Sequence, residues 1–244
     1  MSAALFLVAE LPPGPAATLD GPEGHHAADV QRVRVGERLI LADGRGGTAT
    51  AEVAGVAKGS VRLTVLSRSA RPRPDPALVV VQGIPKGDRG ELAVQAMTEV
   101  GADEIIPWAA ARCVTQWRGD RGHKALAKWQ STAREAAKQS RRPWLPAVTG
   151  DPSSTTKQVA ARLGSAAAAF VLHEDATEPL SRVPIPAEGE IVLVVGPEGG
   201  IADAELEAFA EVGARPVRLG DAVLRTSTAG VAALSVLSAR LGRW

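Results

Sequence analysis

Two glycine-bearing loops near the end of this 244-residue chain constrain its fold more than any other feature. Each loop follows a short apolar run and precedes a helical pattern. The runs before the loops are Ile191–Val195 and Val217–Leu219, the loops are Gly196–Gly200 and Gly220–Ser227, and the helical patterns begin at Ile201 and Thr228. Loops of this kind at the carboxyl ends of parallel strands form a ligand cleft with exposed backbone N–H groups. The pair therefore predicts an α/β fold with a binding site built from both loops.

Composition places the chain among ordinary globular proteins, with 45% apolar and 23% charged residues. The single cysteine, Cys113, excludes an intrachain disulfide and a cysteine-based zinc site, and we interpret it as structural. No cluster of metal-ligating residues stands out, so we expect no metal. No apolar run approaches the roughly 20 residues of a membrane span, and Leu5–Ala9 is typical of a first strand, not of a signal peptide. We therefore expect a cytoplasmic protein that has no membrane partner.

Charge is distributed unevenly along the chain although the net charge is only +1. Residues 31–73 hold nine Lys or Arg against three acids, and residues 112–142 hold nine against two. Residues 174–211 reverse this balance, with ten acids and one base. Two basic zones are consistent with a surface that binds a polyanion, and a solvated charged surface is the alternative.

The first third of the chain has the pattern of a small β-barrel. Five short β-type runs are separated by turn-forming pairs such as Asp43-Gly44 and Lys58-Gly59. The predicted strands are Ala4–Val8, Val30–Val35, Arg38–Ala42, Thr48–Val56 and Ser60–Leu66. A segment rich in proline and arginine follows them and breaks regular structure. We therefore predict a barrel domain over residues 1–70, a linker over residues 71–76 and a second domain over residues 77–244.

The second domain alternates strands and helices, which predicts an open and mainly parallel sheet. The run Leu78–Ile84 is continuously apolar apart from Gln82 and Gly83, as expected of a strand buried on both faces. Helices are predicted over Gly90–Val100 and His123–Arg141, and Gly101 fits the C′ position of the first. The helix after the second loop is rich in small residues, which indicates close packing.

The residues of the two loops indicate which ligand they accept. The first loop has neither the glycine pattern of a dinucleotide site nor a Walker-type lysine, and Asp203 and Glu205 follow it. A cationic, adenine-bearing cofactor therefore fits better than a polyphosphate. In the second loop, Arg225 is the strongly charged residue, and it either acts on the substrate or cofactor or forms an ion pair with Glu198 or Asp221. Either Thr226 or Thr228 is suited to cap the following helix.

Several motifs, in the same order along nearly the whole chain, closely resemble the SPOUT superfamily and more narrowly its RsmE family of 16S rRNA uridine-N3 methyltransferases. The motifs are Gly196–Ile201, Leu219-Gly220, Leu224–Ala229, Gln95–Gly101, Trp129 with Glu135–Arg141, and His25-His26 with Arg32–Glu37. The resemblance implies a PUA-like barrel that binds RNA, followed by a SPOUT-type open parallel sheet with a C-terminal trefoil knot. It also implies a homodimer in which Arg112–Arg142 of a partner chain neighbours each active site. Two positions depart from the family pattern, because Ser227 replaces a glutamate and Ala96 replaces a lysine.

The resemblance further implies methyl transfer from S-adenosylmethionine to N3 of a uridine in 16S rRNA, within the small ribosomal subunit. Arg225 is the candidate catalytic residue, stabilising the developing uracil anion, while the general base stays unassigned with His173 as one candidate. The expected cofactor-binding residues are Leu172, His173, Glu174, Gly196, Pro197, Glu198, Gly199, Gly200, Ile201, Leu219, Gly220, Leu224, Thr228 and Ala229. The expected RNA-binding residues are Arg32, Arg34, Arg112, Glu135, Gln139 and Arg141, the first two as alternate residues on one strand face. Methylation of another rRNA position or of a ribose 2′-oxygen, and a non-catalytic RNA-binding assembly factor, are the alternatives.

Overall fold

A computed structural model describes residues 3–244 of the chain. These residues divide into two compact units. The first contains the described residues up to Arg73 together with Ala137–Leu145, and the second contains Pro74–Ala136 and Pro146–Trp244. One long helix, residues 119–139, therefore contributes its last turn to the first unit. The predicted boundary at residues 71–76 stays a prediction about domains, since a division into compact units does not test independent folding.

The first unit is built on a five-stranded sheet with the strand order β1-β3-β4-β5-β2. Its strands are β1 (Ala4–Leu7), β2 (Ala16–Leu19), β3 (Arg38–Ala42), β4 (Gly47–Ala57) and β5 (Ser60–Ala70), and helix α1 spans Gly21–His25. The β1–β3 pair is parallel and the other pairs are antiparallel. Along β4 buried residues alternate with more exposed ones, so one face of the sheet packs on a core that includes Phe6, Leu41 and Leu63.

The predicted strand Val30–Val35 is wrong, and with it the placement of Arg32 and Arg34 on one strand face. A π-helical turn over His26–Val30 continues directly from α1. The backbone N–H of Val33 then donates to the carbonyl of Ala27 at 3.0 Å, so these residues close the helix and do not join a sheet. Arg32 has a φ of 55°, a left-handed conformation that interrupts extended chain. Local β-type composition was overridden here by helical hydrogen bonds.

The second unit is an α/β layer around a six-stranded sheet with the order β11-β9-β10-β6-β7-β8. Its strands are β6 (Ala77–Gly83), β7 (Glu104–Trp108), β8 (Ala147–Val148), β9 (Ala168–Leu172), β10 (Glu190–Val195) and β11 (Arg215–Val217). Its helices are α2 (Arg89–Glu99), α3 (Gly119–Gln139), α4 (Thr156–Gly164), α5 (Asp203–Glu211) and α6 (Thr226–Arg240). Every pairing between these strands is parallel. The predicted α/β class with a parallel sheet is confirmed, while the trefoil knot stays a prediction.

Apolar layers cover both faces of this sheet. Successive residues of β6 point to opposite faces, so Val80 packs with α2, α3 and α6, whereas Val79 and Val81 pack with α4 and α5. This double burial explains the continuous apolar run of β6. Gly101 ends the α2 segment with a φ of 110°, which a side chain would strain.

Helix α6 packs closely against α2. A Cβ atom at Gly230 would come within 2.6 Å of the Met97 sulfur, so a larger residue at this crossing would displace the Met97 side chain. Buried residues recur along one side of α6, including Ala233, Leu234 and Leu237. The other side, with Ala232 and Ser235, is partly exposed in the single chain. None of the helices in the stretch 3–244 is both long and apolar enough to cross a membrane.

Candidate active site

A cavity of about 520 Å³ lies in the second unit, at the carboxyl ends of β9, β10 and β11. It is lined by Arg89, Leu172, His173, Glu174, Val195, Gly196, Pro197, Glu198, Gly200, Ile201, Val217, Arg218, Leu219, Gly220, Asp221, Ala222, Val223, Leu224, Arg225, Thr226 and Ala229. The volume falls within the usual range of small-molecule sites, about 300–1,000 Å³. Both glycine loops contribute to it, as the strand-end rule for parallel sheets requires.

The cavity brings together most of the residues expected to bind the cofactor, with two exceptions. Gly199 is not among the lining residues, and a Cβ atom built on it would lie 2.9 Å from the Arg112 carbonyl oxygen. Thr228 is exposed, and its hydroxyl donates to the Arg225 carbonyl at 3.1 Å. The N-cap of α6 is Arg225 itself, so neither threonine caps this helix through its side chain.

The first glycine loop is held from several sides. The N–H of Gly200 donates to the Pro197 carbonyl at 2.9 Å, and Gly200 has a φ of 74° that favours glycine. A Cβ atom at Gly83, at the end of β6, would meet the Pro197 nitrogen at 2.7 Å. A Cβ atom at Gly196 would meet Ile201 at 2.9 Å. The glycines therefore allow two strand ends and the loop backbone to pack in direct contact.

The Glu198 carboxylate connects this loop to the start of α2. It accepts from the Lys86 N–H at 3.2 Å and from the Arg89 guanidinium at 3.2 Å. Arg89 lines the cavity but was missed by the sequence analysis. The signal was present, because Arg89 closely follows the carboxyl end of β6, a neighbour of β10 in the sheet. Applying the strand-end rule to β6 as well would have included it.

The second loop leaves Arg225 exposed beside the cavity. The alternative in which Arg225 forms an ion pair with Glu198 or Asp221 does not match the structure. Glu198 pairs with Arg89, and Asp221 pairs with Arg218 at 3.0 Å. Of the three arginines that line the cavity, Arg225 has no ion pair within the described residues, so its charge is available for a ligand.

His173 lines the cavity in an orientation that limits its chemistry. Its Nδ1 accepts a hydrogen bond from the Asp175 N–H at 3.3 Å, so in the neutral ring the proton resides on Nε2. In this arrangement Nδ1 is engaged by the backbone, so a role as base requires that this hydrogen bond break. Ser227, where the family pattern has a glutamate, is buried and does not line the cavity. The general base therefore stays unassigned, with His173 as one candidate.

A second layer supports the first loop from outside the cavity. Arg112 donates to the Ile201 carbonyl at 3.2 Å. The buried Glu205 carboxylate accepts from the Ala111 N–H at 2.8 Å, from the Thr156 hydroxyl at 2.9 Å and from the Ala202 N–H at 3.0 Å. Burial raises the pKa of the neighbouring Cys113 thiol, which disfavours the reactive thiolate. These contacts fix the loop around Arg112 against the start of α5.

The residues expected to contact RNA are exposed, as that role requires. Arg32, Arg34, Gln139 and Arg141 belong to the first unit, whereas Arg112 and Glu135 belong to the second. Arg141 lies just after α3 with a φ of 54°. No group of residues able to hold a metal ion occurs within residues 3–244.

Comparison with known proteins defines the class of this chain. Residues 72–238 match the RNA methyltransferase domain family, and residues 19–66 match the RNA methyltransferase PUA domain family. Because the first match covers more than half of the chain, the protein is an RNA methyltransferase, and the predicted enzyme class and PUA-like domain are confirmed.

Individual relatives narrow the assignment. Ribosomal RNA small subunit methyltransferase E of Mycobacterium tuberculosis is 46% identical over 247 aligned residues, covering 100% of this chain and 94% of the relative. The enzyme of the same name from Bacillus subtilis is 32% identical, with coverages of 92% and 90%. Among solved structures, the chain is similar to the crystal structure of the Neisseria gonorrhoeae ribosomal RNA small subunit methyltransferase E bound to S-adenosyl methionine. The two share 28% sequence identity and a TM-score of 0.86, with 98% of each chain covered. The chain belongs to the ribosomal RNA small subunit methyltransferase E family, which confirms the resemblance found in its motifs.

Proposed function

We propose that this enzyme transfers a methyl group from S-adenosylmethionine to N3 of a uridine in 16S rRNA of the small ribosomal subunit. Family membership and the names of the relatives support rRNA as the substrate and S-adenosylmethionine as the cofactor. The observation that carries the proposal is the cavity itself, where two glycine loops meet beside an exposed arginine that forms no ion pair with any residue the structure describes. Such an enzyme works where ribosomes are assembled, in the cytoplasm.

The residues of the cavity fit the cofactor. Leu172, Ile201 and Leu219 supply apolar walls for an adenine ring. A Cβ atom at Gly220 would meet nothing within 4 Å, so the backbone there borders open space that a ligand can occupy. The carboxylate of Glu174 adds negative charge suited to a cationic ligand. When bound, S-adenosylmethionine supplies an electrophilic methyl group.

Arg225 makes the substrate reactive in this proposal. Uracil N3 carries a proton and becomes nucleophilic when that proton is lost, which leaves charge on O2 and O4. A guanidinium donates charge-assisted hydrogen bonds to such an anion and thereby lowers the pKa of N3. Arg225 is exposed beside the cavity and has no ion pair among residues 3–244, so it meets the base without first breaking one. With no base assigned among the lining residues, the N3 proton leaves to solvent.

RNA is bound by exposed polar side chains of both units. The proposed contacts are Arg32, Arg34, Arg112, Glu135, Gln139 and Arg141. Arginine contacts to phosphates position an RNA without reading its sequence. Because N3 lies on the Watson–Crick edge, the target base must be unpaired or extruded to reach the cavity.

The active form is a homodimer in this proposal. The side of α6 that faces away from the sheet carries small residues, among them Ala232, Ser235 and Ala239, and stays partly exposed in the single chain. Small residues allow two helices to approach closely. The family resemblance implies a partner chain near the active site, and this face of α6 is suited to receive it. Size-exclusion chromatography with light scattering measures the mass directly.

A single methylation experiment tests the function. Small ribosomal subunits from cells that lack the native modification are incubated with the protein and isotopically labelled S-adenosylmethionine. Nucleoside digestion and mass spectrometry then identify the product. We expect N3-methyluridine at one position of 16S rRNA. A 2′-O-methylated nucleoside or another methylated base would contradict the proposed site of transfer, and no product despite cofactor binding would contradict catalysis on this particle.

A further inference from the structure

A buried amide interrupts the apolar interior of the central strand β6. All seven residues of β6 are buried, and Gln82 is fully inaccessible. Its strand lies between β10 and β7 in the middle of the parallel sheet. Burying an amide is unfavourable unless its polar atoms are hydrogen-bonded, so the position of each bond made by Gln82 is informative.

The Gln82 amide nitrogen begins a short chain of hydrogen bonds. It donates to the Thr226 hydroxyl at 2.9 Å and to the Gly83 carbonyl at 3.1 Å. The Thr226 hydroxyl in turn donates to the Gly196 carbonyl at 2.7 Å. Reversing the amide would set its oxygen against the Gly83 carbonyl oxygen, so the network fixes the orientation. Each hydrogen of the amide nitrogen and the single hydroxyl hydrogen is used once.

These bonds join three parts of the site. Gly196 is the first residue of the first glycine loop, directly after β10. Thr226 is the first residue of α6 and follows Arg225, the N-cap residue. Gln82 and Gly83 end β6, and Gly83 packs against Pro197. The Thr226 hydroxyl therefore ties the backbone of the first loop to the residue adjacent to the proposed catalytic arginine.

The side-chain oxygen of Gln82 indicates that a contribution to stability alone does not explain why a glutamine occupies this position. The Gln82 side-chain oxygen is buried and has no hydrogen-bond partner among the described residues. An unsatisfied buried acceptor destabilises the folded state, and an apolar side chain of similar size would avoid that cost. What glutamine adds at this position is the pair of N–H donors directed at Thr226 and Gly83.

We propose that Gln82 is a positioning residue for methyl transfer, which acts through the Thr226 hydroxyl to hold Arg225 in register with the first glycine loop. Gln82 itself does not line the cavity, whereas Thr226 does. The inference rests on the proposed function, in which the cavity holds the cofactor and Arg225 faces the base. It assigns the geometry between the two loops to a specific pair of side chains, Gln82 and Thr226.

Two substitutions at Thr226 separate the hydroxyl from its packing. Thr226→Val keeps the shape and removes the hydroxyl, so we expect kcat on small ribosomal subunits to fall about tenfold or more, and the affinity for S-adenosylhomocysteine to fall as well. Thr226→Ser keeps the hydroxyl, and we expect it to restore most of both. Thr149→Val is the matched control, because its hydroxyl donates to the Glu104 carboxylate at 2.6 Å and neither residue lines the cavity.

A third variant separates positioning from folding. Gln82→Met replaces the amide with an apolar side chain of similar length, so the melting temperature should stay the same or rise while kcat and cofactor affinity fall. A purely structural role would make activity follow stability instead. Isothermal titration calorimetry with S-adenosylhomocysteine measures binding independently of turnover.

The outcomes distinguish this inference from the proposed function. Suppose that the wild-type protein binds S-adenosylhomocysteine and methylates the particle, and that Thr226→Val and Gln82→Met do both equally well. The positioning role of Gln82 is then overturned, and the proposed function stands. If the wild-type protein binds no S-adenosylhomocysteine, the proposed function fails and the inference fails with it. Loss in Thr226→Val that Thr226→Ser restores supports the positioning role.

Discussion

The two glycine loops line the same cavity but are held very differently. The first is fixed by a backbone turn, by the Glu198 hydrogen bonds to Lys86 and Arg89, and by direct packing of Gly83 on Pro197. In the second, residues 220–225 are exposed, and within the described chain their N–H groups form no hydrogen bond. A rigid loop suits a cofactor that must be aligned, whereas a loop with few contacts suits a substrate that must enter and leave. In the proposed function, the first loop holds the cofactor in a fixed alignment, and Arg225 in the exposed part of the second loop contacts the substrate base.

The largest expected effect is on kcat, at Arg225, the residue of the second loop that is proposed to contact the uracil base. Arg225→Ala removes the cation proposed to stabilise the uracil anion, so we expect kcat to fall about 10²–10³-fold. Affinity for S-adenosylhomocysteine should be unchanged, because Arg225 is proposed to contact the base and is not among the proposed cofactor-binding residues. Single-turnover kinetics on small ribosomal subunits, with calorimetry for binding, measure the two effects. Wild-type turnover in this variant would contradict the assigned role.

Charge and geometry at this position are separated by Arg225→Lys. Lysine keeps the positive charge but lacks the planar pair of donors. Partial recovery of kcat relative to Arg225→Ala would identify the charge as the main contribution, and no recovery would indicate that the two donors of a guanidinium are required.

The next effect concerns the packing of the first loop. Gly83→Ala places a Cβ atom 2.7 Å from the Pro197 nitrogen, a backbone atom that cannot move alone. We expect the free energy of unfolding to fall by about 1–3 kcal/mol, together with weaker cofactor binding. The matched control is Gly220→Ala in the second loop, where a Cβ atom meets nothing within 4 Å and stability should not change. Urea denaturation measures the free energy of unfolding of both variants. Equal destabilisation of Gly83→Ala and Gly220→Ala would contradict the prediction.

A smaller effect is expected for the ion pair across the first loop. Glu198→Gln weakens the hydrogen bonds that the carboxylate accepts from the Lys86 N–H and from Arg89. The side chains of Arg89 and Glu198 are both partly exposed. Because solvent screens such a pair, the loss in stability should be under about 1 kcal/mol. Cofactor affinity should fall more clearly, because Arg89 is then free to move within the cavity. The difference between wild type and variant should shrink at high salt, and a salt-independent difference would point to packing instead.

Sequence reasoning was most reliable where the physics is local and repeated. The apolar runs Ile191–Val195 in β10 and Val217–Leu219 at the end of β11, with the glycines that follow them, predicted a binding site at these strand ends, because parallel strands place their carboxyl ends together. It failed at Val30–Val35, where β-type residues complete a helical turn through hydrogen bonds to His26 and Ala27. The residue types in this segment do not determine which backbone carbonyl lies close enough to accept a hydrogen bond from each N–H.

Pairings between distant residues were also beyond the sequence. The contacts of Gln82 with Thr226 and of Glu198 with Arg89 join residues more than 100 positions apart. Such contacts depend on the order of strands in the sheet, and nothing in the spacing of charged residues distinguishes Arg89 from Arg225 as the partner of Glu198. Resemblance to a family identified the loops, but the structure was needed to show which arginine is left unpaired.

The smallest effect is expected at the tip of the second loop. Val223 is 78% exposed, so Val223→Ser removes an apolar side chain that is already in water and should change the free energy of unfolding by less than about 0.5 kcal/mol. Urea denaturation with and without S-adenosylhomocysteine measures this. A clear loss of stability in the free protein would mean that Val223 is buried in solution, as it would be if a partner chain covered the loop. Because a dimer interface is lost on dilution, repeating the measurement at several protein concentrations separates that cause from packing within one chain.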